Sequence, residues 1–210
     1  MKQALLLFMV LILIGCGGNE ETTGDLSDTQ GEKSFSREGL DTTVIMPLTI
    51  GNMWVYEVSG LDTIDNMMKP VRIDTFEVTR DTIIDGERWF VVKDLTPPGG
   101  RVMNREDGFW QCRRNQEPFL FLKYPASPGD EYGWNVRDIT VENRVIAADA
   151  EVTVPAGTFT CYKYTQLADL HKLVVDYYFV PGVGGIRMEV FDKAGLRPVS
   201  RHDLIEIRLE

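Results

Sequence analysis

Leu173-Val174-Val175-Asp176-Tyr177-Tyr178-Phe179-Val180 runs directly into Pro181-Gly182-Val183-Gly184-Gly185. Val, Tyr and Phe fit a pleated strand. Proline presets the entry to a turn, and glycine supplies the positive φ that a tight turn requires. The stretch therefore predicts a strand that ends in a sharp bend. Alternation puts Leu173, Val175, Tyr177 and Phe179 on one face and Val174, Tyr178 and Val180 on the other. Both faces are apolar, whereas an antiparallel strand with one wet face alternates apolar and polar. Something must cover the second face: a curled sheet, a packed loop or a ligand. The stretch around Trp54 has the same character, with Trp54, Tyr56 and Val58 alternating with Met53 and Val55. The C-terminal stretch is the contrast, because Ile205, Ile207 and Leu209 alternate with Glu206, Arg208 and Glu210.

Turn signals recur along the rest of the chain, at Asp85-Gly86, Pro97 to Gly100, Asp107-Gly108, Asn115 to Pro118, Ser127 to Asp130, Pro155 to Gly157 and Asp192 to Gly195. Asp85-Gly86 between two apolar runs is a hairpin signal, since a type I′ turn needs φ > 0 at both central residues. The intervals are too short for parallel crossovers. We expect an all-β, mainly antiparallel fold over residues 44–210: a curled meander of about ten strands forming an open or half-closed β-barrel.

The N-terminus reads differently. Met1-Lys2 precedes an apolar run from Ala4 to Ile14. Eleven helical residues span only about 16 Å, half the roughly 30 Å of a bilayer core, so the run reads as a signal peptide over residues 1–15. It ends in Leu13-Ile14-Gly15-Cys16, which resembles the lipobox of bacterial lipoproteins. The resemblance implies cleavage between Gly15 and Cys16 and lipidation of Cys16, including palmitate-type acylation of its new amino group. Two or more acyl chains give stable anchoring. Residues 17–43 carry seven acids, two bases and few large apolar groups, a composition that does not bury itself. With Cys16 they are expected to form a flexible acidic tether, about 30 Å end to end.

Four motifs carry a second resemblance: Val154-Pro155-Ala156-Gly157-Thr158-Phe159-Thr160-Cys161-Tyr162, Tyr178-Phe179-Val180-Pro181-Gly182-Val183-Gly184-Gly185-Ile186, Gly51-Asn52-Met53-Trp54-Val55-Tyr56, and the loop Ser127-Pro128-Gly129-Asp130. They resemble the TapB-like bacterial envelope proteins, a family of unknown function distantly similar to half-barrel carriers of the LolA/LolB type. The resemblance covers about residues 48–187. It implies an open or half-closed antiparallel barrel and brings no catalytic residues with it.

Few residues point to catalysis. No GxSxG, HExxH or CxxC spacing occurs. His171 and His202 are the only histidines, so a two-histidine metal site competes with two structural side chains. Carboxylates such as Glu142, Glu151, Glu189 and Asp192 form no pair that sequence can single out. We therefore expect no enzyme, no cofactor and no metal. Cys112 and Cys161 can form a disulfide in an oxidising envelope, closing a loop worth roughly 4 kcal/mol, or remain buried thiols. Trp54, Tyr56, Trp89, Trp110, Trp134, Tyr177 and Tyr178 are candidates to line a groove for an apolar ligand.

The net charge of −10 argues against nucleic acid, which is bound by neutralising phosphates with Lys and Arg. Five of these negative charges belong to residues 17–43, and residues 44–210 carry −6. Together these features suggest a protein lipid-anchored to the cell membrane or outer membrane, its domain on the extracytoplasmic side. Its partner is a lipid or other apolar ligand in the curled sheet, or alternatively an envelope protein docked on a scaffold module. Cys16→Ala is expected to abolish metabolic palmitate labelling and to release the protein from membranes. Retained labelling would refute the anchor.

Overall fold

The computed structural model describes residues 39–95, 100–113, 116–136, 139–168, 173–192, 194 and 197–210. The signal peptide, Gly15, Cys16, most of the tether and His171 lie outside these residues. Among the described residues there are twelve strands. They are β1 (Met53–Leu61), β2 (Met68–Ile84), β3 (Glu87–Lys93), β4 (Arg101–Arg105), β5 (Gly108–Cys112), β6 (Phe119–Lys123), β7 (Glu131–Val136), β8 (Ile139–Val154), β9 (Gly157–Ala168), β10 (Leu173–Val180), β11 (Gly184–Phe191) and β12 (Pro198–Arg208). The sequence expectation was about ten. The excess comes from β4, β5 and β6, which are five residues each and too short to show a period.

The strands form one sheet in the order β6-β5-β4-β3-β2-β1-β12-β11-β10-β9-β8-β7, with every ladder antiparallel. It is a meander whose first and last strands pair with each other in the middle of the sheet. The two outer strands, β6 and β7, come together and nearly close the sheet into a barrel. Asp85 (φ 53°) and Gly86 (φ 83°) form the expected hairpin turn between β2 and β3.

The β6/β7 seam is held by side chains. Phe119 stacks on Trp134 with ring centroids 4.5 Å apart. The Tyr132 hydroxyl donates to the Phe121 carbonyl at 3.1 Å and accepts from the Lys123 N–H at 3.2 Å. Tyr164 adds a bond from its hydroxyl to the Lys123 carbonyl at 2.9 Å. Burial pushes the Tyr132 and Tyr164 phenols well above their ordinary pKa, so they remain neutral donors.

Curling turns one face of each strand inward. On β1 Trp54, Tyr56 and Val58 are buried, and on β8 Ile139, Val141, Asn143 and Val145 are buried between exposed neighbours. One end of the barrel is plugged by the chain before β1. Ile45 and Met46 are buried there. The plug is tied by Gly182 N–H to the Val44 carbonyl (2.8 Å), Asn104 Nδ2 to the Met46 carbonyl (2.8 Å) and Tyr124 hydroxyl to the Thr42 carbonyl (2.7 Å).

The Pro181–Gly184 turn packs on this plug. Trp54 Nε1 donates to the Val183 carbonyl at 2.7 Å, and the Tyr56 hydroxyl to the Gly185 carbonyl at 2.8 Å. Gly184 has φ +100°, and a Cβ there would sit 2.8 Å from Met46 Sδ and 3.0 Å from Trp54 Nε1. Gly184→Ala is therefore expected to cost about 2–4 kcal/mol, from a strained φ and overpacking together. Gly86→Ala, with φ +83° and nothing within 4 Å of its Cβ, should pay only the backbone part, about 1 kcal/mol. Urea unfolding of the two variants measures the difference, and equal losses would remove the packing role of Gly184.

Candidate functional site

Beyond the plug the barrel interior is not filled. A cavity of about 120 Å³ is lined by side chains including Tyr56, Phe76, Phe121, Val175, Tyr177 and Phe179. Along the strands it runs from Tyr56 and Gly185, next to the plug, toward Leu95, Arg113 and Leu173 at the other end. It approaches the size of the roughly 150 Å³ apolar cavity that takes up a benzene ring. The lining arises from strand phase. Tyr177 faces Met188 across the β10–β11 ladder, and Met188 faces His202 across β11–β12. Directly opposed residues share a face, so these three point the same way. Phe121 meets the Tyr177 ring edge-on at 5.2 Å and carries the surface across the seam.

Polar groups sit within this apolar wall. Gln166 Nε2 donates to Asn143 Oδ1 at 3.1 Å, and the Tyr177 hydroxyl lies 3.4 Å from Gln166 Oε1. Burial pushes the Tyr56 and Tyr177 phenols up, so both stay protonated. Gln111 and Arg113 face the cavity from the end of β5. His202 is only 2% exposed, and neither ring nitrogen has a hydrogen-bond partner. Its Nε2 lies 3.4 Å from Asp74 Oδ2, and Arg72 grips the same carboxylate with Nε at 2.8 Å and Nη2 at 3.1 Å.

The groove candidates divide. Tyr56 and Tyr177 line the cavity. Trp54 lies behind it, fully buried against Val183, and Trp134 belongs to the seam. Trp89, Trp110 and Tyr178 do not line the cavity, which corrects the sequence expectation for these three. Trp110 opposes Met103, and the Arg105 guanidinium lies over Trp110 at 4.3 Å and Trp89 at 5.7 Å, held in place by Glu87. Tyr178 opposes Lys163 and Arg187, with the Lys163 ammonium 5.4 Å from its ring. The cover that the second apolar face needs is thus supplied partly by cationic side chains lying flat on the outer rings. Alternation alone separates the two faces but does not say which is inside.

Cys112 and Cys161 are thiols and are not joined. Cys161 is buried on β9, while Cys112 lies on the Trp110 face of β5 with Sγ 3.7 Å from the Arg113 and Gln116 carbonyls. The disulfide expectation is corrected accordingly, since the two strands present the thiols to opposite faces. Burial raises the Cys112 thiol pKa above its ordinary value. Glu142 and Glu151 are both exposed on β8, and Glu189 is engaged by Arg201 Nε at 2.8 Å. No group of three or more His, Cys, Asp or Glu side chains able to hold a metal occurs among the described residues.

Sequence reasoning did not find Asp74, Arg72 or Arg113. The available signal for Arg72 and Asp74 was their i, i+2 spacing on one strand face. Burial opposes ionisation of Asp74, but the approach of the His202 ring and the two bonds from Arg72 outweigh it, and the carboxyl is held below its ordinary range. A lowered folded-state pKa contributes stability above the unfolded value, and that contribution is lost as pH falls through the folded value. The wild-type protein should therefore lose stability as pH drops below about 4. Asp74→Asn should be less stable at neutral pH and flatter across that acid window. Urea midpoints measured against pH check this, and an unchanged acid limb would refute it.

Comparison with known proteins bears on the second half of the chain. A family model described as DUF3108-like matches residues 131–204, the stretch that contains the 154–162 and 178–186 motifs. No curated protein matches the chain. Two of the solved structures that resemble the chain are the following. One is a Bacteroides fragilis protein described as a "putative exported protein with YmcC-like fold", with 13% identity, a TM-score of 0.48, and coverage of 79% of this chain and 99% of that one. The other is a "putative lipoprotein" from Parabacteroides distasonis, with 14% identity, a TM-score of 0.42, and coverage of 79% and 98%.

Proposed function

We propose that this chain is a lipid-anchored protein of the bacterial cell envelope that holds a small apolar ligand or an acyl chain inside its curled sheet, and that it acts as a binder without catalysing a reaction. The cavity carries this reading. It is mostly apolar, lies inside one sheet, and offers a few fixed polar groups, the usual make-up of a small-molecule site. A barrel filled only for stability would pack its interior to native density. The envelope location rests on the N-terminal signal and on Leu13-Ile14-Gly15-Cys16.

A second reading, an interaction module without a small ligand, has one observation in its favour. Ile64, Met67, Val71 and Ile73 are all more than half exposed at the end of the β1–β2 hairpin, and exposed apolar clusters mark protein contacts. In that reading the cavity stays empty.

One experiment separates the two. The full chain is purified from bacterial membranes, extracted with organic solvent, and the extract compared with that from Val175→Phe, whose added ring fills the cavity. A specific lipid or apolar compound in the wild-type extract, at least tenfold depleted in the variant, is expected. Identical extracts would overturn the ligand reading and favour the interaction module.

A further inference from the structure

Among the described residues, Arg113 is the cavity-facing group whose charge the fold does not explain. Phe109 and Gln111 face inward on β5, and Arg113 continues that phase just beyond the strand end. Its guanidinium lies 5.7 Å from the centre of the Phe119 ring. Its Nε is buried and has no hydrogen-bond partner. Three arginines elsewhere on the sheet are paired: Arg105 with Glu87, Arg187 with Asp203, and Arg201 with Glu189. No such carboxylate pairs with Arg113 among the described residues, and no Asp or Glu is among the residues that line the cavity. That is notable in a chain with ten more acids than bases.

A guanidinium in this setting remains charged, although burial pushes its pKa down. Withdrawing a charge from water without a counter-ion is costly. The cation–π contact with Phe119 returns only about 0.5–2 kcal/mol. The neighbouring polar groups are neutral: the Gln111 amide, the Gln166 amide and the Tyr177 hydroxyl. An anion entering here would meet a positive fork and no competing carboxylate among the described lining residues. Arg113 stands with Leu95 and Leu173 at the end away from the plug, while Phe76, Phe179 and Val175 form the apolar wall.

We propose that Arg113 receives the anionic head of an amphipathic ligand, a carboxylate or phosphate carried on a single apolar chain, with the chain lying along the aromatic wall. This deepens the ligand reading above and rests on it. The guanidinium fork matches either head group in a bidentate manner, so a free fatty acid and a phospholipid-derived phosphate share the recognised chemistry.

The test uses the full chain in zwitterionic nanodiscs, with empty discs as reference, and three probes of equal chain length: decanoate, decyl phosphate and decanol. Binding is read by titration calorimetry. At least one anionic probe is expected to bind roughly tenfold or more tighter than decanol, the scale of a charge-assisted hydrogen bond. Arg113→Gln is expected to erase that preference and leave decanol unchanged. Preference for decanoate assigns a free acid as the source, and preference for decyl phosphate assigns a phospholipid head. Equal binding of all three probes to wild type would overturn the role of Arg113 while leaving the cavity as a ligand site, and this comparison needs no variant to fold. Binding of none of them would overturn the ligand reading as well. An anionic preference that survives in Arg113→Gln would also overturn the assignment.

Discussion

The buried bond from Trp54 Nε1 to the Val183 carbonyl, with its companion from Tyr56 to the Gly185 carbonyl, is the constraint on which the rest of the barrel depends. Each joins positions 129 residues apart. The Pro181–Gly184 turn folds back into the barrel, so its carbonyls lie where water is scarce. A buried carbonyl left without a donor costs about 1–3 kcal/mol. Indole and phenol groups from β1 supply those donors without bringing charge inside. The same turn accepts the N-terminal plug through Gly182 N–H and Val44. One contact set therefore fixes β1 against β11, seats the plug and closes one end of the barrel.

Closing one end has a consequence for the other. The plug concentrates Ile45, Met46, Val183 and Trp54 in a dense layer, while the remaining interior is walled by rings too rigid to collapse into it. The space left is the cavity. Its wall is asymmetric, with aromatic surface over most of its length, the Asp74–His202–Arg72 cluster on the Tyr56 face of β2 and β12, and Arg113 at the unplugged end. The two cationic regions differ in kind. Arg72 has its carboxylate, so the fold completes that pair internally, whereas Arg113 faces space.

Much of the fold was legible in single residues. Asp85-Gly86 marked its hairpin, Pro181 to Gly185 marked the turn, and the absence of parallel crossovers followed from spacing. The two-sided apolar strands around Trp54 and Tyr177 correctly implied a covered second face. What covers it was not legible. Cation–ring contacts such as Arg105 over Trp110 join β4 to β5, and Lys163 over Tyr178 joins β9 to β10. Such pairs depend on register between strands, which no local pattern encodes. For the same reason Trp89 and Trp110 were grouped with Tyr177 by composition alone, although they face the other way.

By itself the sequence determined the strand class, the turns, the apolar alternation and the N-terminal lipobox pattern, because each depends on residues within a few positions of one another. Only the tertiary structure decided which face of each strand became interior, that a plug would fill one end, and that Arg113 would stand in an apolar cavity with no acid among the described residues of its wall. Those outcomes depend on the pairing of β1 with β12 and on the meeting of β6 with β7. Both are contacts between distant parts of the chain, and their registers are set by packing and not by local propensity.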